Sequence, residues 1–160
     1  MKPIESIKLL VGKERMRIID KLNEQFGIQD IKGTLLKRGK ERIFLFEGNM
    51  GKKEIDKLSK ATFIERVGVY LAKEEERGIR LSIEGSQILK DRITKNIIEL
   101  TKEEMQTWMM GHEVIRKNNF TGFVIIKYKD DMLGTGKASQ EKITNFIPKS
   151  RRLKDKTIEA

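Results

Sequence analysis

No cysteine occurs in the 160 residues. That excludes a disulfide framework, a thiolate metal site and a cysteine nucleophile. There is one histidine, His112, so no second imidazole can complete a base pair or a metal set. A lone histidine is more often structural than catalytic. No apolar run approaches the ~20 residues that span a bilayer. The start, Met1-Lys-Pro-Ile-Glu5, lacks the apolar core of a signal peptide. A soluble, cytoplasmic chain with no membrane partner is expected. Nucleotide-binding fingerprints are missing as well. Gly134-Thr-Gly-Lys137 resembles a phosphate loop only superficially, because the full motif needs glycine at position 131 and a hydroxyl residue at 138. Those positions hold Asp131 and Ala138. The flanking pattern runs strand to strand, so no helix N-terminus would face an anion. The glycines fit a bend and a close strand approach instead. Carboxylates are plentiful, but nothing singles out a pair, and Asp130-Asp131 reads as a hairpin tip. The expectation is a chain with no metal, no cofactor and no enzymatic activity.

What is abundant is positive charge. Thirty-four Lys and Arg against twenty-four Asp and Glu leave a formal net charge of +10. Charged residues make up 36% of the chain, well above the usual quarter. Such a balance points to an acidic partner, of which nucleic acid is the commonest. The excess is concentrated late: residues 112–156 hold eleven Lys or Arg and five Asp or Glu.

The length allows one domain or two small ones. Met16, Ile19, Leu22 and Phe26 recur at helical spacing over residues 13–26, and Gly27 is placed to end that helix. Thr34–Lys37 and Glu41–Phe46 read as strands paired through Arg38-Gly39-Lys40. Lys52–Lys60 reads as a short helix, and Val67–Leu71 alternates like a half-buried strand. Lys73-Glu-Glu-Glu-Arg-Gly78 breaks both periods and reads as a linker or exposed turn, the best candidate for a boundary. Beyond it, strands are expected over 79–83, 96–100, 112–115, 120–129, 132–138 and 142–147, with a helix over 86–93. Thr101-Lys-Glu-Glu104 is a capping box opening a helix that carries Met105, Trp108 and Met109 on one face. The fold class expected is α+β, an N-terminal mixed α+β domain followed by a small pseudo-β-barrel.

Lys127 and Lys129 alternate with Ile126 and Tyr128, which predicts both cations on one strand face. Lys137 is expected near them on the return strand. Lys149, Arg151 and Arg152 crowd the basic C-terminal run. Arg can fork onto a phosphate or stack on a base, and Lys neutralises phosphate as a point charge. Tyr128 or Phe146 could stack on an unpaired base, though both also suit a core.

Three stretches carry a resemblance. Met110-Gly-His-Glu-Val114 after a capped helix, the hairpin Gly122–Ala138, and the ending Asn145-Phe-Ile-Pro-Lys-Ser-Arg-Arg-Leu153 resemble PUA domains. The ending is similar to the C-terminal domain of Fmu/Sun-type RNA cytosine-5 methyltransferases and to stand-alone archaeal ribosome-biogenesis proteins of that family. The resemblance covers about residues 78–153. More loosely, the first 77 residues resemble the α+β domain that precedes the PUA domain in two-domain factors. It implies three segments: a pre-PUA domain over 1–77, a PUA-like domain over 78–153, and a basic tail over 154–160. It implies rRNA or tRNA binding as an accessory to ribosome biogenesis or RNA modification. It also places the RNA groove near Ser86, Lys90, Gly111 and His112, with Lys137 beside them. The methyltransferases' cysteine pair is missing here, which implies no catalysis by this chain. Two rivals stay open: a protein-interaction module that recruits an RNA methyltransferase or another biogenesis factor, and an enzyme using carboxylates of the first half. Oligomeric state is not legible.

Overall fold

The structure, a computed structural model, describes residues 7–46 and 68–154. The helix expected over Lys52–Lys60 lies outside them, as does Val67.

The first sheet is an antiparallel meander. Strands β1 (Ile7–Leu10), β2 (Thr34–Arg38), β3 (Arg42–Phe46), β4 (Val69–Glu75) and β5 (Gly78–Leu81) lie side by side in chain order. Alternation decides its faces. Leu35, Ile43, Leu45, Ile79 and Leu81 point into a core shared with α1 (Gly12–Phe26). Leu36, Phe44 and Tyr70 point the other way. Ile18, Leu22 and Phe26, four residues apart, form the buried stripe of α1. Met16, expected on that stripe, is 54% exposed, because the buried arc centres on Ile18 and Leu22. The helix ends on Gly27, whose φ of 75° is the left-handed cap expected of it.

Helix and sheet are pinned by one carboxylate. Glu74 of β4 receives Lys37 at 2.8 Å, Lys21 at 3.0 Å and the Arg17 guanidinium. The Arg17 hydrogen bond above all, with Lys37 and Lys21, holds the Glu74 carboxyl far below the usual carboxylate range against the opposing effect of burial.

The segment Lys73–Gly78 is the end of β4 and the turn into β5, whose residues pair from Ala72↔Leu81 to Glu75↔Gly78. It is a strand-to-strand turn inside one sheet, exposed at Glu76 and Arg77. The strands of the first sheet end at Leu81, and those of the second begin at Ile97. The buried cluster around α1 also takes in Leu89, Ile93, Ile125 and Met132 from the second half. Polar contacts follow the same route: Gln25 exchanges two hydrogen bonds with the Ile79 backbone, and Thr94 N–H donates to Phe26 C=O at 2.9 Å.

The second sheet has the order β6-β8-β9-β10-β7, formed by β6 (Ile97–Glu99), β7 (Val114–Ile115), β8 (Gly122–Tyr128), β9 (Asp131–Ala138) and β10 (Lys142–Thr144). β6 runs parallel to β8, and the remaining pairings are antiparallel. Arg116, just past β7, donates to the Glu99 carbonyl of β6 at 2.8 Å. The two edges of the sheet thus approach each other, and the sheet curls into a half-barrel rather than a closed one. The helix expected over 86–93 is split into α2 (Ile83–Ile88) and a 3-10 turn, Lys90–Arg92. α3 (Lys102–Met109) opens with the expected capping box: Glu104 N–H donates to Thr101 Oγ1, and Thr101 N–H donates to the Glu104 carboxylate. Its Trp108 is completely buried under β9. A Cβ on Gly136 would sit 2.8 Å from the Trp108 ring and 2.7 Å from Ile143, so close approach, the structural reading of the glycine-rich strand, is what that position requires.

Candidate nucleic-acid interface

The C-terminal run is strapped to the sheet rather than trailing as a tail. Asn145 does most of the fastening. Its Nδ2 donates to the carbonyls of Trp108 at 2.7 Å and His112 at 3.0 Å, and its Oδ1 accepts Ile147 N–H at 2.7 Å. The Trp108 carbonyl lies at the C-terminus of α3, where it also accepts Gly111 N–H at 2.9 Å. Further on, Leu153 N–H donates to Met109 C=O at 2.8 Å. Arg152 donates from Nε to Ile147 C=O at 3.0 Å, and its side chain lies over Gly111, where a Cβ would meet it at 2.4 Å.

So held, the run forms one wall of a cleft of about 790 Å³. Phe146, Pro148 and Arg151 line that wall, beside the β9 backbone at Gly134 and Thr135. The opposite wall is the outer face of the first sheet, with Arg38, Arg42, Tyr70, Lys73 and Arg80, and the start of α2 lies between the walls. Five Lys or Arg and two Glu line the space. Arg80 lies 4.3 Å from the centre of the Phe146 ring, a cation–π contact, and pairs with Glu75 at 3.2 Å. Lys73 faces Glu41 at 3.6 Å and Glu75 at 3.8 Å. Arg151 pairs with Glu84. Arg42 is exposed and makes no ion pair among the described residues. Such partly exposed pairs contribute little, so their cations can exchange a carboxylate for a phosphate. Burial pushes the Tyr70 phenol up, with Arg80 and Arg42 pulling the other way less strongly, and it stays protonated at neutral pH.

The cations anticipated from sequence do not form one patch. Lys127 is half-buried on β8 opposite Met132. The strand ends at Tyr128, and Lys129 occupies the turn with φ 52°. The two lysines therefore do not share a strand face, and the turn residues are Lys129-Asp130 rather than Asp130-Asp131. A register shift between Ile125 and Lys127 further breaks the alternation. Lys137 pairs with Phe123, four residues along β8 from Lys127, or ~13 Å at strand rise. The Lys129 ammonium sits 5.4 Å from the Tyr128 ring centre, and Tyr128 packs on the second core. Lys90 is half-buried in the 3-10 turn, and Lys149 is exposed. Ser86 is completely buried: its hydroxyl donates to Ile83 C=O and accepts Gly134 N–H, pinning α2 to β9. His112 is exposed, and Gly111 lies under Arg152. Of the anticipated residues, Phe146 and Arg151 reach the cleft. Arg38, Arg42, Tyr70 and Arg80 escaped notice, although Arg42, Phe44 and Phe46 alternate on β3 and carried the signal. Among the described residues, no group of three or more His, Asp or Glu could hold a metal ion, and no helix is long and apolar enough to cross a membrane.

A curled β-sheet with a capped helix, closed by a strapped basic run, is the make-up of a PUA domain. Residues 95–153 match the family model described as "Methyltransferase RsmF PUA domain", and this part of the chain resembles the C-terminal domain of the Fmu/Sun-type methyltransferases. Its relatives include "Ribosomal RNA small subunit methyltransferase F" of Aeromonas salmonicida, 29% identical over 88% of this chain and 28% of the relative. The protein of the same name in Psychromonas ingrahamii is 29% identical over 78% of this chain and 26% of the relative. That of Vibrio campbellii is 31% identical over 58% and 20%. The 141-residue alignment to the Aeromonas protein extends beyond the PUA match. The chain spans 20–28% of the length of these curated relatives, all of them bacterial. The likeness expected to archaeal proteins therefore finds bacterial relatives instead. The expectation of a chain without enzymatic activity is corrected: its relatives carry the name of an enzyme. The missing cysteines were weighed over a stretch that corresponds to about a quarter of those relatives, and so could not decide the class.

Proposed function

We propose that this chain serves the methylation of small-subunit ribosomal RNA, and that its residues supply RNA contact. The observation that carries the reading is the basic, aromatic-lined cleft built by the PUA-type C-terminal run against the first sheet. Phosphate contacts from the five cations that line the cleft, Arg38, Arg42, Lys73, Arg80 and Arg151, supply affinity independent of sequence. The relatives' name favours ribosomal over transfer RNA. In a titration of purified protein with small-subunit rRNA fragments at rising salt, ~4 to 6 phosphate contacts predict that log affinity falls linearly with log salt, with slope on the order of −3 to −5. Affinity indifferent to salt would overturn the phosphate-contact reading. A tRNA control that binds as tightly as the rRNA fragment would remove the preference for ribosomal RNA.

A further inference from the structure

We infer that the cleft between the first sheet and the C-terminal run seats an unpaired RNA nucleotide, its base on the Arg80–Phe146 stack beside Tyr70 and its phosphate on Arg42. This rests on the RNA-binding reading and specifies what kind of RNA enters. The volume of about 790 Å³ falls in the range of sites that engulf a small ligand. Its lining separates two modes of RNA recognition. Duplex RNA offers phosphates and 2′-hydroxyls and keeps its base faces stacked inside, so aromatic walls add nothing to its binding. An unpaired base offers a π-face, which aromatic rings and arginine planes both accept.

Here both kinds of platform occur together. Arg80 sits over Phe146 at 4.3 Å, and Phe123 meets the same ring edge-on at 6.1 Å. The phenylalanine is thereby held in one orientation, and the guanidinium over it is a second plane for a base. Tyr70, half-buried and braced by Phe44 at 5.6 Å, brings an uncharged hydroxyl to the same space. Arg42, on the same strand face as Phe44, is an exposed cation without a carboxylate among the described residues. The two walls come from segments far apart in the chain, residues 38–80 and 146–151, so the nucleotide site exists only where the first sheet and the C-terminal run meet.

The test uses the full chain and a labelled, unstructured ~12-nucleotide RNA, with a duplex of the same sequence as comparison. The expected result is preference for the single strand. Arg42→Glu, at an exposed position without an ion pair among the described residues, should weaken single-strand binding by about tenfold. Ultraviolet crosslinking of the unmutated protein should place the RNA on peptides containing Tyr70 or Phe146. Equal affinity for duplex and single strand, with Arg42→Glu silent and binding lost in Lys127→Glu/Lys129→Glu, would sink the cleft while RNA binding stands. Displacement of the RNA by micromolar adenosine monophosphate would assign the cleft to a small molecule and also overturn the inference. Failure to bind any RNA would remove the functional reading and this inference together.

Discussion

Asn145→Ala should damage both the fold and RNA binding, because its amide makes three of the bonds that fasten the C-terminal run and so helps hold one wall of the cleft. The three hydrogen bonds at 2.7, 3.0 and 2.7 Å are each worth ~1 kcal/mol net. Solvent reaches the His112 carbonyl, and water can replace that bond, which lowers the expected loss to about 2 kcal/mol. For a chain of this length each kcal/mol moves the melting midpoint by about 2–4 °C, so a fall of about 4–8 °C is expected in a circular-dichroism melt. Asn145→Asp keeps the acceptor for Ile147 N–H but turns the two donors into a charge facing two carbonyls, and should cost at least as much. RNA affinity should fall in both variants, because Phe146 and Arg151 follow directly on the lost anchor. An Asn145→Ala protein that melts within about 1 °C of the unmutated chain and binds RNA unchanged would show that the amide fastens nothing.

Two further substitutions probe the framework around the cleft. Glu74→Gln removes a carboxylate that receives three cations while only 12% exposed, and should cost about 2 kcal/mol at neutral pH. Since the folded-state pKa lies below the unfolded one, this stability is present above the usual carboxylate range and is lost as pH falls below it. The unmutated protein should therefore lose more stability than Glu74→Gln between pH 7 and pH 3 in denaturant titrations, and identical losses would refute the pinning role. Gly136→Ala places a methyl 2.8 Å from Trp108 and 2.7 Å from Ile143. Overpacking of this kind costs about 1–3 kcal/mol, readable as an earlier urea midpoint with an unchanged slope.

The features legible in the sequence were those decided locally. The capping box at Thr101 and the turn joining the second and third strands depend on residues a few positions apart; the capping box appears where its spacing put it, and the turn one residue later, over residues 39–41, with Arg38 paired to Arg42. The C-terminal run was also legible, as a resemblance, but the resemblance did not say what its residues do. Asn145 and Arg152 prove to be fasteners. That role is invisible without the helix end at Trp108 to Met110, which lies more than thirty residues away. Lys127 and Lys129 went astray for a smaller reason: a register shift and a left-handed turn residue break the alternation that placed them together. The cleft itself could not be read at all. Arg42 and Arg80 sit on the first sheet and Phe146 and Arg151 beside the second, and only the shared core running through Ile125 and Met132 brings them face to face. A charge count points to the C-terminal residues because they outnumber their acidic neighbours. The geometry instead selects Arg42 and Arg80 from the first half, because strand alternation puts Ile43, Ile79 and Leu81 in the core and turns both arginines to the outer face, toward the aromatic wall.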